Sequence, residues 1–174
     1  MYLEWYLKEQ AAGEKTLEET VVELLAEKGF HITTAESCTG GMIAGTLVNV
    51  AGASEVLNEG YVTYSNEAKE RLLGVASETI SDYGVGSRQT AAEMAAGAAK
   101  TAHTTIALSS TGVAGPDGGT KEHPVGDVYL GCCYNGSVMT QHMLGCGSRT
   151  EIRQQAVAAA FSLLEKMLTE EKIL

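Results

Sequence analysis

The sequence predicts an α/β protein, a three-layer α/β/α sandwich around a mixed, mostly parallel sheet that contains one antiparallel hairpin. First, β-rich runs alternate with runs of helical period from about residue 16 onward, the pattern of parallel strands joined by crossover helices. Second, Asn135-Gly136 stands between two β-type runs, and both central residues of a type I′ turn need positive φ, so that pair is a hairpin. Third, 174 residues with 44% hydrophobic content suit one domain with a real core and no need of disulfides.

The elements follow in order. Met1 to Lys15 reads as an N-terminal extension, with residues 16–174 as the domain. Thr16-Leu17-Glu18-Glu19 is a capping box, Leu17, Val21, Leu24 and Leu25 recur at helical spacing, and Gly29 stops the helix. His31 to Ala35 is a strand that turns sharply through Glu36 to Gly41 into a small-residue helix, Met42 to Val48. Leu57 to Tyr64 is a strand, and Asn66 to Leu73 a short helix capped by Ser65 or Asn66. Ser87 to His103 is helical, with Thr90, Met94, Ala98 and Thr101 on the covered stripe. Thr104 to Ser110 is a buried strand opening into a glycine-rich loop, Thr111 to Thr120. Val125 to Tyr134 and Ser137 to Leu144 are the hairpin strands, and Arg149 to Leu168 closes the chain as an amphipathic helix.

Twelve Lys and Arg against 22 Asp and Glu give a net charge of −10, and the pI is near 4.8. That sign opposes binding to a phosphate polymer, so no nucleic-acid partner is expected. No window approaches the roughly 18 apolar residues of a membrane span, and Met1 to Lys8 lacks the basic head and apolar run of a secretory signal. No membrane partner and a cytoplasmic location are therefore expected. Cys38, Cys132, Cys133 and Cys146 contain no C-x-x-C, and Cys132-Cys133 in a strand point to opposite faces. His31, His103, His123 and His142 lack metal-ligand spacing, so no metal and no cofactor are expected.

The chemistry concentrates in few places. A phosphate loop is excluded because Gly119-Thr120-Lys121-Glu122 puts no Lys-Ser/Thr pair after the glycine, and Gly112 to Gly119 does not match a dinucleotide fingerprint. Ser37 lies between a strand and a helix, where its hydroxyl either caps that helix or serves as a nucleophile beside the free N–H groups of Cys38, Thr39 and Gly40. A G-x-S-x-G elbow is absent, because Ala35 and Thr39 stand at the glycine positions. Without a placed histidine, the base for such a serine would be a lysine whose pKa burial lowers. Lys69 is the candidate, at a helix start where its charge opposes the macrodipole; the alternative is a solvated lysine neutralised by Glu67 and Glu70. Cys38 is a rival nucleophile, since thiolates favour helix N-termini, though packing under the turn suits it better.

The runs Thr34-Ala35-Glu36-Ser37-Cys38-Thr39-Gly40-Gly41, Tyr64-Ser65-Asn66-Glu67-Ala68-Lys69, Thr111-Gly112-Val113-Ala114-Gly115-Pro116-Asp117-Gly118-Gly119-Thr120 and Pro124-Val125-Gly126 resemble the C-terminal domain of the competence/damage-inducible protein CinA, in order and spacing from about Thr16 to Leu168. The resemblance implies an amidase that hydrolyses the carboxamide of nicotinamide mononucleotide. It implies Ser37 as nucleophile, Lys69 as its lysine partner and Tyr64 as a third member that orients or relays protons. Substrate contacts are expected from Cys38, Thr39, Gly40 and Gly41, from Thr111 and Gly112 at a strand end, from Gly115, Gly118 and Gly119 through close backbone approach, and from Arg149 on the phosphate, with Arg153 and Lys121 as lesser candidates. A homo-oligomer is expected as well.

The sequence departs from the family pattern at Arg88, Thr104, Ser110, Lys121 and His123, which bears on substrate choice and subunit contacts while sparing Ser37 and Lys69. Two other readings stand beside the first: a non-catalytic metabolite-binding or regulatory module, and a serine amidase for another small amide.

Overall fold

The computed structural model describes residues 15–171, so the expected N-terminal extension, Lys15 apart, lies outside the described residues. Helix α1 (Leu17–Lys28) starts on the capping box: Thr16 Oγ1 accepts from the Glu19 N–H and the Glu19 carboxylate from the Thr16 N–H. Gly29 ends it at φ 65°. Strand β1 (Ile32–Glu36) is buried throughout and leads into α2 (Met42–Val48). After a short 3₁₀ turn come β2 (Leu57–Val62), α3 (Asn66–Leu73), which Ser65 caps, and α4 (Ser77–Tyr83). Sequence periodicity did not signal α4: it lasts two turns and buries none of its side chains, so no apolar stripe marks it.

Helix α5 (Arg88–Ala102), strands β3 (Ile106–Gly112), β4 (Asp127–Tyr134) and β5 (Ser137–Leu144), and helix α6 (Arg149–Glu170) complete the chain. Thr101 is exposed and leaves the stripe, its hydroxyl donating to Leu72 O. Strand β3 begins two residues later than expected and β4 two residues later. The intervening backbone spends its hydrogen bonds in loops, as where Asp127 N–H donates to Pro124 O.

The sheet order is β2-β1-β3-β4-β5. Strand β1 is parallel to both β2 and β3, whereas β4 runs antiparallel to its neighbours, with Asn135 and Gly136 at φ 47° and 84° in the hairpin turn. One face carries a core of Val21, Leu25, Ile43, Leu47, Leu108, Leu130, Phe161 and Leu164 beneath α1, α2 and α6. The other packs Ala35, Ala107 and Cys133 against Met94, Ala95, Ala98 and Leu73 from α5 and α3. Cys132 and Cys133 fall into different cores, one on each face, as strand alternation requires. From β1 the chain moves to β2 on one side and then to β3 on the other. The carboxyl end of β1 is thus the point where the winding reverses, the usual location of ligand crevices in such sheets.

Candidate active site

Three strand ends meet at that point. Backbone pairing extends past them, with Ser37 N–H donating to Ser110 O at 2.9 Å and Thr63 N–H to Glu36 O at 2.9 Å. Ser37 therefore emerges from the end of β1 between the ends of β2 and β3.

The turn that follows is held from beneath by Glu36. This fully buried carboxylate accepts from the Thr39 hydroxyl at 2.7 Å and from the N–H groups of Gly41, Ile43 and Ala44 at 2.9–3.0 Å. Helix α2 has Gly41 as its N-cap at φ 93°, with no side chain to offer, so the carboxylate five residues upstream caps it. Thr39 Oγ1 also lies 2.6 Å from Ser110 Oγ, tying the turn to β3. From above, Arg153 of α6 donates to Cys38 O at 3.1 Å and Thr39 O at 2.6 Å. Glu36 and Arg153 were not singled out for these roles by sequence. An acidic residue directly before a strand-to-helix turn was the available signal for the first, since carboxylates suit helix N-termini; Arg153 carries no such local mark.

The N–H groups around Ser37 divide. Gly40 N–H donates to Ser37 O at 3.1 Å and Gly41 N–H to Glu36, so the expectation that Gly40 offers a free donor is corrected: a turn bond consumes it. Gly40 and Gly41, at φ 60° and 93°, shape the turn. Among the described residues, the N–H groups of Cys38 and Thr39 donate to no backbone carbonyl outside helices and strands. Of the two residues, Cys38 lines the cleft described below, whereas Thr39 is fully buried beneath the turn.

Lys69, on the first turns of α3, is fully buried and reaches back to the turn. Its Nζ lies 3.0 Å from Ser37 Oγ, 2.8 Å from Thr63 O and 3.5 Å from Tyr64 O. Burial pulls its pKa down from 10.5 to about 8. Among the described residues no carboxylate forms an ion pair with it, and Glu67 and Glu70 are exposed. A neutral amine has two protons and one lone pair; the two carbonyls can take the protons, which leaves the lone pair for the serine hydroxyl. Cys38 is buried in the core, and burial pushes its thiol up to about 11, so at neutral pH it stays a thiol.

The pair opens onto a cleft of about 210 Å³ lined by Ser37, Cys38, Tyr64, Thr111, Gly112 and Arg149, with Asn66, Val85 and Ala114. Tyr64 is largely exposed, and its hydroxyl accepts from Arg149 Nη2 at 3.1 Å; it is the Tyr64 carbonyl, not its ring, that touches Lys69. Arg149, at the start of α6, also donates to Gly115 O at 2.6 Å. Thr111 is buried with its hydroxyl on Val85 O, and Gly112, at φ 140°, has no room for a Cβ because Asp127 O would lie 2.2 Å away. Gly118 and Gly119 are not among the cleft's walls. A Cβ on Gly115 or Gly119 would strike Val125 at 2.4 and 2.9 Å, so those glycines allow the loop to pack on itself.

Among the described residues no group of three or more His, Cys, Asp or Glu side chains is placed to hold a metal ion, and no helix is long and apolar enough to cross a membrane.

A family model, the CinA C-terminal domain, matches residues 14–168. A relative from Clostridium acetobutylicum named as a competence-damage inducible protein is 53% identical over 154 residues, covering 88% of this chain and 38% of the relative. A CinA-like protein of Kosmotoga olearia is 52% identical over 156 residues, covering 90% and 38%. The chain thus spans little more than a third of the length of these relatives. Among solved structures, the competence/damage inducible protein CihA of Agrobacterium tumefaciens superposes with a TM-score of 0.84 at 44% identity, covering 86% of this chain and 92% of that one. A CinA-superfamily protein of Escherichia coli does so with 0.84 at 32%, covering 87% and 88%. With a matching family model over nearly the whole chain and the same fold in solved relatives, the chain belongs to the CinA C-terminal domain family.

Proposed function

We propose that the chain hydrolyses the carboxamide of nicotinamide mononucleotide to nicotinic acid mononucleotide and ammonia, with Ser37 as nucleophile and Lys69 as base. The observation that carries this reading is the 3.0 Å approach of the fully buried Lys69 Nζ to Ser37 Oγ with no ion-pairing carboxylate beside it among the described residues.

In the neutral form Lys69 accepts the hydroxyl proton as Ser37 Oγ attacks the amide carbon. The carbonyl π electrons move to oxygen, and the oxyanion is met by the N–H group of Cys38, which lines the cleft. Collapse of the tetrahedral intermediate breaks the C–N bond, and the ammonium of Lys69 returns the proton to the leaving nitrogen, which departs as ammonia. Water then attacks the seryl ester with Lys69 again as base, releasing the carboxylate and restoring Ser37. Arg149 faces the substrate's phosphate, and Tyr64 holds that guanidinium rather than relaying protons. Thr111 and Gly112 form the wall beside the ring. The proposal includes self-association of the chain; the exposed edge strand β2, which ends on the exposed Val62, is a surface that suits it.

The test is ammonia release from nicotinamide mononucleotide. Wild type is expected to release it and Ser37→Ala to lose activity by at least about a thousandfold. An active Ser37→Ala refutes serine catalysis. Turnover of other small amides but not this one points to a different amidase substrate, and no turnover with retained binding points to a non-catalytic module.

A further inference from the structure

A second cleft, of about 320 Å³, lies on the α5 side of the sheet, between the first turn of α5 and the strands β4 and β5. Tyr83, Ser87, Arg88, Gln89, His123, Tyr129 and His142 line it, none of them shared with the cleft around Ser37. Asp127 backs it. This carboxylate is buried, and each oxygen meets a different imidazole: His123 Nδ1 at 2.8 Å and His142 Nε2 at 2.5 Å. Tyr129, directly across from His142 in the β4–β5 pairing, stacks on its ring at 4.6 Å, which sets the ring plane. Arg88 is tethered by Nη1 to Thr140 Oγ1 at 2.8 Å.

These contacts set the chemistry of the opening. An ionised carboxylate only accepts, so each ring places a proton toward Asp127 and turns its other nitrogen, His123 Nε2 or His142 Nδ1, away from it. When that nitrogen is protonated it becomes a second N–H donor, on a side chain still partly open to solvent. The charged or titratable groups at the cleft are then one guanidinium, two imidazoles, two phenols and a single carboxylate already engaged on both oxygens. A metal cation is disfavoured there by the permanent charge of Arg88 and by the ring nitrogens that Asp127 occupies.

We infer that this cleft is a binding site for a phosphate-class oxyanion, gripped by Arg88, His123 and His142. Asp127 orients the two rings. In a chain of net charge −10 this concentration of donors is a local exception, and it lies apart from the amidase cleft, across the segment 83–87. Its occupancy does not depend on the reaction proposed for Ser37.

The probe is sulfate. Calorimetric titration is done on an Arg149→Gln background, which removes the anion contact proposed in the other cleft, and is expected to show one sulfate site. On that background Arg88→Gln and a His123→Gln, His142→Gln double substitution are each expected to weaken binding roughly tenfold. In the unaltered chain, the imidazole resonances of His123 and His142 shift on addition of sulfate, a readout that no misfolded variant can confound. Absence of sulfate binding on the Arg149→Gln background overturns the inference, as do unmoved imidazole resonances or undiminished affinity when Arg88→Gln or the double-histidine substitution is added.

Discussion

Lys69→Met separates the catalytic role proposed for the amine from its cost to the fold. A buried lysine whose pKa falls from 10.5 to about 8 carries a penalty of about 3 kcal/mol at neutral pH, from about 1.4 kcal/mol per pKa unit. The sign follows from proton binding. Between pH 8 and 10.5 the unfolded chain holds more protons on this group than the folded one, so its contribution to stability rises with pH across that window. The penalty is present almost in full below pH 8 and gone above about 10.5. Methionine keeps an unbranched stem and removes the charge, but it leaves the carbonyls of Thr63 and Tyr64 without a donor, at about 1–2 kcal/mol.

The variant is therefore expected to be about 1–2 kcal/mol more stable than wild type near pH 7 and less stable by a similar amount near pH 10.5. Urea unfolding of both proteins at the two pH values measures it, and taking the difference between them cancels the titration of groups they share. Hydrolysis by the variant should be abolished at every pH. A stability difference that does not change with pH would refute a desolvated amine at this position, whatever the activity shows.

Further outcomes follow from the same geometry. In the wild type, kcat/KM should rise with pH below about 8 and level off above it, because only the neutral amine can take the serine proton; a profile flat from pH 6 to 9 argues against Lys69 as base. Arg149→Ala should raise KM for the mononucleotide roughly tenfold with kcat little changed, and Tyr64→Phe should do less, since that hydroxyl touches only Arg149. Glu36→Gln puts an amide donor against one of the N–H groups it caps and should cost about 1–3 kcal/mol in thermal or urea unfolding while lowering kcat. Gly97→Ala sets a Cβ 1.8 Å from Leu73 O at the end of α3, forcing α5 away from the helix that carries Lys69. It should destabilise by several kcal/mol, and a variant with wild-type melting behaviour would show that the two helices are not in that contact.

Local chemistry carried far in the sequence. The capping box at Thr16 and Glu19, the glycine stop at Gly29, the Asn135-Gly136 turn and the alternation of strands with helical runs each act within a few residues, and each formed as the sequence indicated. Ser37 and Lys69 could be named because their runs resemble a family; the residues alone favoured a helix-capping serine and a solvated lysine. Helix α4 escaped because a helix with no buried side chain has no period to detect.

What folding added was distance across the chain. No spacing rule joins a serine to a lysine 32 residues away, nor Arg153 to a turn more than a hundred residues before it; the sheet order brought them together by placing β1 between β2 and β3. The same is true of Asp127, whose two histidines come from a loop and from the neighbouring strand. Capping, turn chemistry and periodicity are short-range, so the elements they mark, with α4 the exception, were legible in the residues. The tertiary structure alone decided which amine lost its water and which carboxylate found its donors, because desolvation depends on everything that packs around a group.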